Sequence, residues 1–547
     1  MDKKFVLIIL IIFGISSIST LGFYVRPAKG IIWKEGHITA DETWPRIPGE
    51  VYRVIGDIYV DANVTLTIEP GVEVEFADGF MLSVEGSLHA VGLAHHKILF
   101  TSSNPSPTPG SWESIRFSMG RSVTSHVEHA TLEYANYGIR IEGPGEVILK
   151  HNLARNCNYG IIVDMSPLNG ENLTIHNNTA MNNTAAGFAF YSRSTYASVF
   201  NLNIVGCSAM RNLGYGLYFY TRRDFYNISL HNVTASFNTN RGIKFENHYM
   251  GGHFYNISIS ESKVNFNTVG VDLNNHNQYM YNVSIKDNRI YSNSETNLYL
   301  YTNYQNPTHF NYIVNNVISN AQNGIYAYEL LVICENNTIF QNSIGIRCRS
   351  TVDGSKARFN DIYSNTQYGV SVESGALINA EYNYWGHSAG PYHTSLNPEG
   401  EGNPVNGDGT NLDFIPFLTS PVGTTNERPV AALEVDKITP WFNETVTLDA
   451  TDSTDDGRVD YYFFDFGDGT NSGWTTLPVV THKYAEEGTY NATLVVMDDF
   501  GVTSLDGGLV FVTIEVVPEF PSLIILPLFM ILTLIAALAF RKRRNQN

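Results

Sequence analysis

Two stretches of sequence, Asn212-Leu-Gly-Tyr-Gly-Leu-Tyr-Phe-Tyr220 and Asn238-Thr-Asn-Arg-Gly-Ile-Lys-Phe-Glu246, follow one pattern. An asparagine precedes a glycine by a few residues, and apolar residues alternate after the glycine. The pattern starts nine times, with 22 to 29 residues between successive asparagines: Asn156, Asn183, Asn212, Asn238, Asn267, Asn293, Asn320, Asn342 and Asn365. A fixed period of about 20–50 residues indicates stacked units that bury their apolar faces only against one another.

Each repeat contains three short strand patterns. After Asn238 they are Gly242-Ile-Lys-Phe245, Asn256-Ile-Ser-Ile259 and Lys263-Val-Asn-Phe266. Period-2 alternation favours strands, and the runs are too short for helices. Three strands per turn predict an all-β fold, a right-handed parallel β-helix with rungs about 4.8 Å apart.

The repeat asparagines and aromatic residues fit structural stacks. An Asn at the same bend of every rung can bond to its neighbours above and below and to free backbone groups. Asn297 stands where the other repeats have glycine, and we expect positive φ there because Asn is the usual substitute for Gly in that conformation. Aromatic residues also recur in one register of the second strand pattern: Phe200, Tyr226, Tyr255, Tyr281 and Phe310.

Composition and chain ends predict an exported, anchored protein. Charged residues are 16% of the chain and the net charge is −19, which argues against nucleic-acid binding because no basic stripe is present. In residues 1–30, Lys3 and Lys4 precede a short apolar run, so this segment reads as a signal peptide or signal anchor. Residues 518–547 contain an apolar span followed by Arg541-Lys-Arg-Arg544, which predicts a transmembrane or sorting segment with the basic cluster in the cytoplasm.

The four cysteines do not form a disulfide framework. Cys334 and Cys348 fall at inward registers, and Cys157 and Cys207 lie in different registers of distant rungs. We expect four free thiols.

Two further motifs mark the ends of the β-helix. Leu66-Thr-Ile-Glu-Pro-Gly71 stands near its start, and Asn383-Tyr-Trp-Gly-His-Ser-Ala-Gly-Pro391 stands where the period stops. Residues 31–418 thereby resemble the pectin-lyase-like β-helix surface proteins of archaea and bacteria. Composition shifts divide them into an N-terminal cap with first rungs, 31–110, and the repeats, 111–418. The resemblance implies a fold and no particular chemistry.

A linker, residues 419–429, leads to a second domain, residues 430–517. Its Phe464-Asp-Phe-Gly-Asp-Gly469 is similar to the core motif of PKD (polycystic-kidney-disease) domains, which implies an immunoglobulin-like β-sandwich and a spacer or adhesion role. Calcium is a possible cofactor, because three acidic residues of one loop could bind it through oxygen: Asp452, Asp455 and Asp456. A solvated acidic loop is the simpler interpretation.

The C-terminus resembles a PEF-CTERM sorting signal. Pro518-Glu-Phe-Pro521, the apolar span and the basic cluster stand in that order. The resemblance implies processing by an archaeosortase-type transpeptidase and attachment to a lipid, whereas a plain transmembrane anchor is the alternative. Both place the protein at the outer face of the membrane.

Outward positions of neighbouring rungs gather polar and aromatic residues that suit sugar recognition. Tyrosine rings stack on sugar C–H faces, while charged groups bond to hydroxyls. The predicted carbohydrate-binding residues are Tyr218, Tyr220, Arg222, Lys244, Glu246, Asp272, Tyr299 and Tyr301. Two nearby carboxylates could instead act as acid and base in glycoside cleavage, but no motif of the β-helix lyases or hydrolases is present, so catalytic residues stay unassigned.

Two other kinds of site follow from the pattern. His248 and His276 share a register on neighbouring rungs and could share a metal ion, since related repeats occur in copper-handling factors. Chance stacking is the simpler explanation of one His pair without Cys or Met ligands. Asn63, Asn443 and Asn491 are the glycosylation sequons outside the repeat.

These features predict a cell-surface structural or adhesion protein. Its β-helix interacts with polysaccharide or envelope components, and its PKD domain spaces it from the membrane. A polysaccharide lyase or glycoside hydrolase acting on acidic polysaccharide is the competing hypothesis, and an extracytoplasmic copper-handling protein is the third.

Overall fold

The computed structural model describes residues 29–118, 120, 123–164, 172–192, 197–247, 252–276, 278–304, 308–350, 353–373, 375–423, 426–504, 510–517, 530–538 and 541. The chain divides into two compact units, residues 1–252 and 253–547, and each is described by itself. The predicted all-β fold, a parallel β-helix followed by a β-sandwich, is confirmed.

The described residues of the N-terminal unit form 24 strands. In chain order they are β1 (Gly30–Ile38), β2 (Glu42–Trp44), β3 (Glu50–Val60), β4 (Thr65–Ile68), β5 (Glu73–Phe76), β6 (Leu82–Val84), β7 (Ser87–Val91), β8 (Ile98–Ser102), β9 (Trp112–Phe117), β10 (Thr124–Glu128), β11 (Ala130–Glu133), β12 (Ala135–Ile141), β13 (Glu146–Lys150), β14 (Leu153–Arg155), β15 (Tyr159–Asp164), β16 (Leu173–His176), β17 (Thr179–Met181), β18 (Ala186–Tyr191), β19 (Val199–Val205), β20 (Ser208–Met210), β21 (Tyr215–Thr221), β22 (Phe225–His231), β23 (Thr234–Ser236) and β24 (Arg241–Asn247).

The C-terminal unit contains further rung strands of its own and the sandwich domain, residues 430–517. Its rung strands are β25 (Phe254–Ser260), β26 (Lys263–Asn265), β27 (Val269–Asn275), β28 (Met280–Lys286), β29 (Arg289–Tyr291), β30 (Thr296–Thr302), β31 (Asn311–Val314), β32 (Val317–Ser319), β33 (Asn323–Tyr328), β34 (Val332–Glu335), β35 (Thr338–Phe340), β36 (Ile344–Arg349), β37 (Lys356–Arg358), β38 (Asp361–Tyr363), β39 (Tyr368–Glu373), β40 (Ile378–Asn379), β41 (Val405–Asn406) and β42 (Leu412–Asp413). Its sandwich strands are β43 (Glu434–Val435), β44 (Thr445–Asp449), β45 (Val459–Asp465), β46 (Asn471–Thr475), β47 (Val479–Lys483), β48 (Gly488–Asp498) and β49 (Val510–Val516).

The rung strands pair in parallel to form three columns. In the N-terminal unit the first column includes β10, β13 and β16, the second β11, β14 and β17, and the third β12, β15 and β18. The same three columns recur in the C-terminal unit, for example as β28–β31, β29–β32 and β30–β33. Inward side chains stack along each column, as Phe190, Phe219 and Phe245 do at 4.8 and 4.2 Å between ring centroids. Burying one such ring contributes about 1.5–3 kcal/mol.

Buried asparagines form a ladder at the bend between the second and third columns. In the N-terminal unit the backbone N–H and Nδ2 of Asn183 both donate to Asn212 Oδ1, at 3.0 Å each. Asn212 bonds to Asn238 in the same way, and its Nδ2 also reaches the Ala180 carbonyl at 3.3 Å. Because these amides satisfy buried bend groups, the predicted structural ladder is confirmed.

A second ladder occupies the bend between the first and second columns, and the repeat pattern did not reveal it. In the C-terminal unit it runs through Asn288, Asn316, Asn337, Asn360 and Asn383. Asn383 belongs to the closing motif, so this motif supplies the last amide of the ladder. Trp385, two residues later, is fully buried.

The repeat glycines serve close approach, and the expectation of positive φ at Asn297 was wrong. A Cβ at Gly187 would lie 2.9 Å from the Gly216 carbonyl oxygen and 3.0 Å from Asn212 Nδ2. Among the described residues, neither Asn297 nor these glycines have positive φ, whereas the residues just before the ladder positions do, for example Asn182 at 56°. Asn156 also has positive φ, and the neighbouring Cys157 takes the ladder position by donating its N–H to Asn183.

The stacks and the thiols follow the sequence prediction in most positions. Phe200 stacks on Tyr226 at 4.9 Å, and Tyr255 stacks on Tyr281 at 5.2 Å. Phe310 departs from the pattern, because His309 contacts Tyr281 instead. All four cysteines are buried and free, as predicted, and burial raises the pKa of three of them to about 12, 11 and 12: Cys157, Cys207 and Cys348.

The sandwich domain has one sheet of three strands, β43-β44-β47, and one of four, β46-β45-β48-β49. Phe464, Leu494 and Ile514 are among the buried residues between them. The structure packs this domain against second-column rungs of the same unit, and its spacer role stays a prediction. Residues 530–538 are helical, and within the described part of the chain no helix is long and apolar enough to cross a membrane. The predicted signal segment falls almost wholly outside the described residues.

Two charge pairs, each with a buried carboxylate and a partly exposed cation, join the sandwich domain to the rungs. Lys263 Nζ lies 2.7 Å from Asp460 Oδ2, and Arg289 lies 2.7 Å from Asp499. Polar bonds add to these pairs: Asn320 Nδ2 donates to the Gly501 carbonyl at 2.6 Å. Asn320 was expected in the ladder, but its side chain contacts the sandwich domain instead.

A buried carboxylate beside this contact makes its stability depend on pH. Asp498 is fully buried and accepts hydrogen bonds from Asn426 and from two backbone N–H groups. Burial nevertheless raises the pKa of Asp498 to about 6. A carboxyl group whose pKa is higher in the folded than in the unfolded state stabilises the fold at pH values below its pKa in the unfolded state. For Asp498 this stabilisation is lost as the pH rises through the pKa of the folded state.

Replacing Asn183 by alanine should lower the free energy of unfolding by about 1–3 kcal/mol, because the Cys157 N–H and the Ala154 carbonyl lose their partner. Urea unfolding followed by circular dichroism measures this. Asn203→Ala is the matched control, since Asn203 is exposed on β19. Equal effects of the two changes would contradict a structural role for the ladder.

Replacing Asp498 by asparagine should raise the melting temperature relative to the unchanged chain by an increasing margin from pH 4 to pH 7. Calorimetry across that range measures the difference. Asp449→Asn is the control, because hydrogen bonds from Thr451 lower the pKa of Asp449 and its titration therefore falls below this window. A margin that stays constant with pH for Asp498→Asn would contradict the assignment.

Candidate carbohydrate-binding face

The outer face of the third column carries the predicted site. Along β21, Leu217, Phe219 and Thr221 are buried, while Tyr218 and Tyr220 alternate with them and remain partly exposed. This period-2 alternation repeats on neighbouring strands, so outward side chains align in columns. The face therefore presents rows of side chains fixed by the strand register.

In the N-terminal unit, tyrosines surround a floor of smaller side chains. Tyr137 and Tyr159 stack at 5.5 Å, and Tyr191 meets Tyr159 edge-on at 6.5 Å. Ile162 and Ala189, between these rings, are 8% and 0% exposed. Small residues among large rings produce a shallow depression in an otherwise regular face.

The depression has polar groups of both signs at its edge. A cavity of about 50 Å³ is lined by Tyr137, Arg140, Ile162, Asp164 and Tyr191. The Arg140 guanidinium lies 5.0 Å from the Tyr137 ring centroid and forms a salt bridge with Glu142. Arginine donors and carboxylate acceptors beside flat aromatic rings can bond to the hydroxyls and stack on the C–H faces of one sugar.

The predicted residues of the N-terminal unit lie next to this depression. The Tyr218 hydroxyl donates to Glu246 at 2.7 Å, and Tyr191 meets Tyr218 edge-on at 5.6 Å. Burial, together with the neighbouring Glu246 carboxylate, raises the pKa of Tyr218 well above its ordinary value. Lys244 is 5% exposed, so it presents little of its surface. Tyr220 and Arg222 are partly exposed.

The predicted residues of the C-terminal unit form a separate aromatic row. Tyr299 stacks on Tyr326 at 5.2 Å and Tyr301 on Tyr328 at 4.8 Å. Burial raises the pKa of Tyr301. Asp272 is the strand partner of Tyr299 but is only 3% exposed, so its carboxylate contributes little surface.

Five aromatic or charged residues of the depression were missed by the sequence prediction: Tyr137, Arg140, Tyr159, Asp164 and Tyr191. A signal for two of the tyrosines was present, because Tyr137, Tyr159 and Tyr215 each immediately precede a third-column glycine. That position is outward, like the second and fourth positions after the glycine. The shape of the depression depends on small apolar residues, and such residues in a sequence do not indicate a binding site.

The metal and glycosylation predictions are untested. His248 lies outside the described residues, and His276 contacts Tyr301 edge-on at 5.3 Å. Over the residues that the structure describes, no group of three or more His, Cys, Asp or Glu side chains could hold a metal ion. Asp455 accepts a hydrogen bond from the Gly457 N–H at 3.0 Å, as expected for a turn. The sequon residues Asn63, Asn443 and Asn491 are all exposed.

Two family models match parts of the chain. Residues 426–508 match the PKD domain, and residues 113–279 match the periplasmic copper-binding protein NosD. The chain is thus similar to both families over less than half of its length. No curated protein matches it.

Solved structures are similar mainly over the sandwich domain. A structure of carbohydrate-binding modules from the β-sandwich superfamily is 35% identical over 18% of this chain and 37% of its own, with a TM-score of 0.16. The PKD1 domain of Vibrio anguillarum Epp is 29% identical over 17% of this chain and 96% of its own, with a TM-score of 0.14. The Dettilon tailspike protein is 11% identical over 85% of each chain, with a TM-score of 0.21. The chain spans only about a third of the first of these structures.

Proposed function

We propose that this chain is a cell-surface protein that binds carbohydrate through the tyrosine-lined outer face of the third column. The observation that carries the proposal is the depression between Tyr137, Tyr159 and Tyr191, with Arg140 and Asp164 at its edge. Stacked, partly exposed rings offer flat apolar faces in fixed positions, so little conformational freedom is lost on binding. Repetition along the column suits a linear polysaccharide.

The matched families fit a surface location. NosD is described as periplasmic, and PKD domains fit a surface protein. We further propose that residues 1–30 direct export and that residues 518–547 hold the chain at the outer face of the membrane. The motif Pro518-Glu-Phe-Pro521 supports sorting and lipid attachment rather than a permanent transmembrane helix.

Tyr137→Ala and Tyr191→Ala should each weaken binding by about 1 kcal/mol through lost stacking. Asp164→Asn should weaken it by roughly 1.5–3 kcal/mol if the carboxylate accepts from sugar hydroxyls. A glycan array identifies the ligand, and titration calorimetry on the purified chain measures the changes.

Tyr226→Ala is the matched control, because Tyr226 is also partly exposed and stacked, on Phe200 at 4.9 Å, but lies on the first column. Equal losses for Tyr226 and Tyr137 would place binding elsewhere. A reducing-sugar and unsaturated-product assay on the same glycan tests the competing hypothesis, since turnover would make the protein an enzyme.

Deletion of residues 518–547 should release the exported chain into the medium, whereas the full chain should fractionate with the membrane. Immunoblotting of both fractions measures this. Replacing Pro518–Pro521 by alanines should prevent cleavage at the sorting motif. The residues after the motif should then remain part of the chain, and intact mass spectrometry detects them. Equal distribution of deleted and full chains would contradict anchoring by this segment.

A further inference from the structure

A larger cavity lies at the end of the rungs in the C-terminal unit. Its volume is about 510 Å³, within the range of roughly 300–1,000 Å³ that small-ligand sites occupy. One wall comes from rung residues, including Tyr363, Tyr384 and Trp385, and another from Pro421 and Asn426 of the linker. The cavity therefore lies where the linker crosses the second column.

Hydroxyl groups line this cavity without partners in the described protein. The side chains of Thr338, Tyr363, Ser364 and Tyr384 line it, and none of these hydroxyls bonds to another described residue. The indole Nε1 of Trp385 is buried and also lacks a hydrogen-bond partner among the described residues. Tyr363 is stacked on Phe340 at 5.2 Å, which fixes its ring. The cavity thus offers oriented hydroxyls beside flat faces.

The charges select against anions and metal ions. Asp361 and Glu401 line the cavity, and no lysine or arginine does within the described chain. Both oxygens of Asp361 are occupied, because they accept the N–H groups of Val422 and Gly423 at 2.7 and 2.9 Å. An acidic sugar or phosphate would be repelled by these two carboxylates, of which Glu401 lies 3.6 Å from His387, and a divalent cation would find Asp361 already engaged.

We infer that this cavity is a binding site for a neutral saccharide of one or two rings. Tyr363, Tyr384, Pro404 and Pro421 supply apolar faces for ring C–H groups, and the hydroxyls supply donors and acceptors. The site is independent of the proposed tyrosine face and uses none of its residues.

Ligand binding at this cavity is coupled to docking of the sandwich domain. Asn426 forms part of the wall, and its Nδ2 donates to Asp498 of the sandwich domain at 2.7 Å. A ligand that contacts both walls binds only the docked arrangement, so it stabilises that arrangement by mass action.

The test uses the full chain with glucose, galactose, mannose, N-acetylglucosamine and their disaccharides, and with galacturonate as the acidic comparison. Saturation-transfer NMR should detect at least one neutral sugar and no galacturonate. The bound sugar should raise the melting temperature and slow hydrogen exchange at residues 426–430.

The double variant Tyr363→Phe, Tyr384→Phe should weaken that binding about 10- to 100-fold, since it removes two hydroxyl partners and keeps both rings. Tyr382→Phe is the matched control: this ring stacks on Phe359 at 5.6 Å and does not line the cavity. An unchanged melting temperature of the ligand-free variants verifies folding.

Three results would overturn the inference. They are no binding by any neutral sugar, equal binding of galacturonate, and unchanged affinity in the double variant. Loss of binding in Tyr137→Ala with retention in the double variant would assign the sugar to the tyrosine face alone. Loss in the double variant with retention in Tyr137→Ala would support the cavity whatever the fate of the tyrosine face.

Discussion

The rungs stack as they do because two backbones approach closely at the third-column glycine while a buried amide satisfies the adjacent bend. Gly187 leaves room for both the Gly216 carbonyl and the Asn212 amide. The amide in turn reaches the Ala180 carbonyl. An unpaired buried group at such a bend would cost about 1–3 kcal/mol. Gly and Asn are therefore two parts of one constraint, and the alignment of every outward side chain follows from it.

Two neighbouring rungs show that the ladder requires an amide in the bend rather than an asparagine at one fixed sequence position. Ala321 stands where the ladder needs an asparagine, and Asn297 stands where it needs a glycine. Asn293 Nδ2 donates to Asn297 Oδ1 at 2.8 Å, and Asn297 Nδ2 donates to Asn342 Oδ1 at 3.2 Å. A side chain at the glycine position would normally clash with the ladder asparagine of the next rung. Here that residue is Ala321, and the Asn297 side chain fills the space that the missing asparagine leaves. The ladder continues, although neither position follows the repeat.

The period and alternation were sufficient to predict the solenoid, the outward columns and one amide ladder. They misplaced ladder members such as Asn156, because either of two adjacent bend residues can turn inward and Cys157 does so here. The depression around Ile162 was missed because its shape depends on small residues with no chemical signal. The repeat pattern could not predict the contact between the sandwich domain and the rungs, because the paired residues Lys263 and Asp460 are 197 positions apart in the sequence.

Docking of the sandwich domain combines two kinds of contact that respond differently to solution conditions. The Lys263–Asp460 pair is electrostatic, and salt weakens it only to the extent that solvent reaches it. The linker is instead held by neutral backbone N–H groups on Asp361 and by Asn426 on Asp498. Because this short tether keeps the domain near the rungs, its local concentration stays high even if the ion pairs open. The linker bonds and the ion pairs thus stabilise one docked arrangement, and a ligand that contacts the linker adds to that stabilisation.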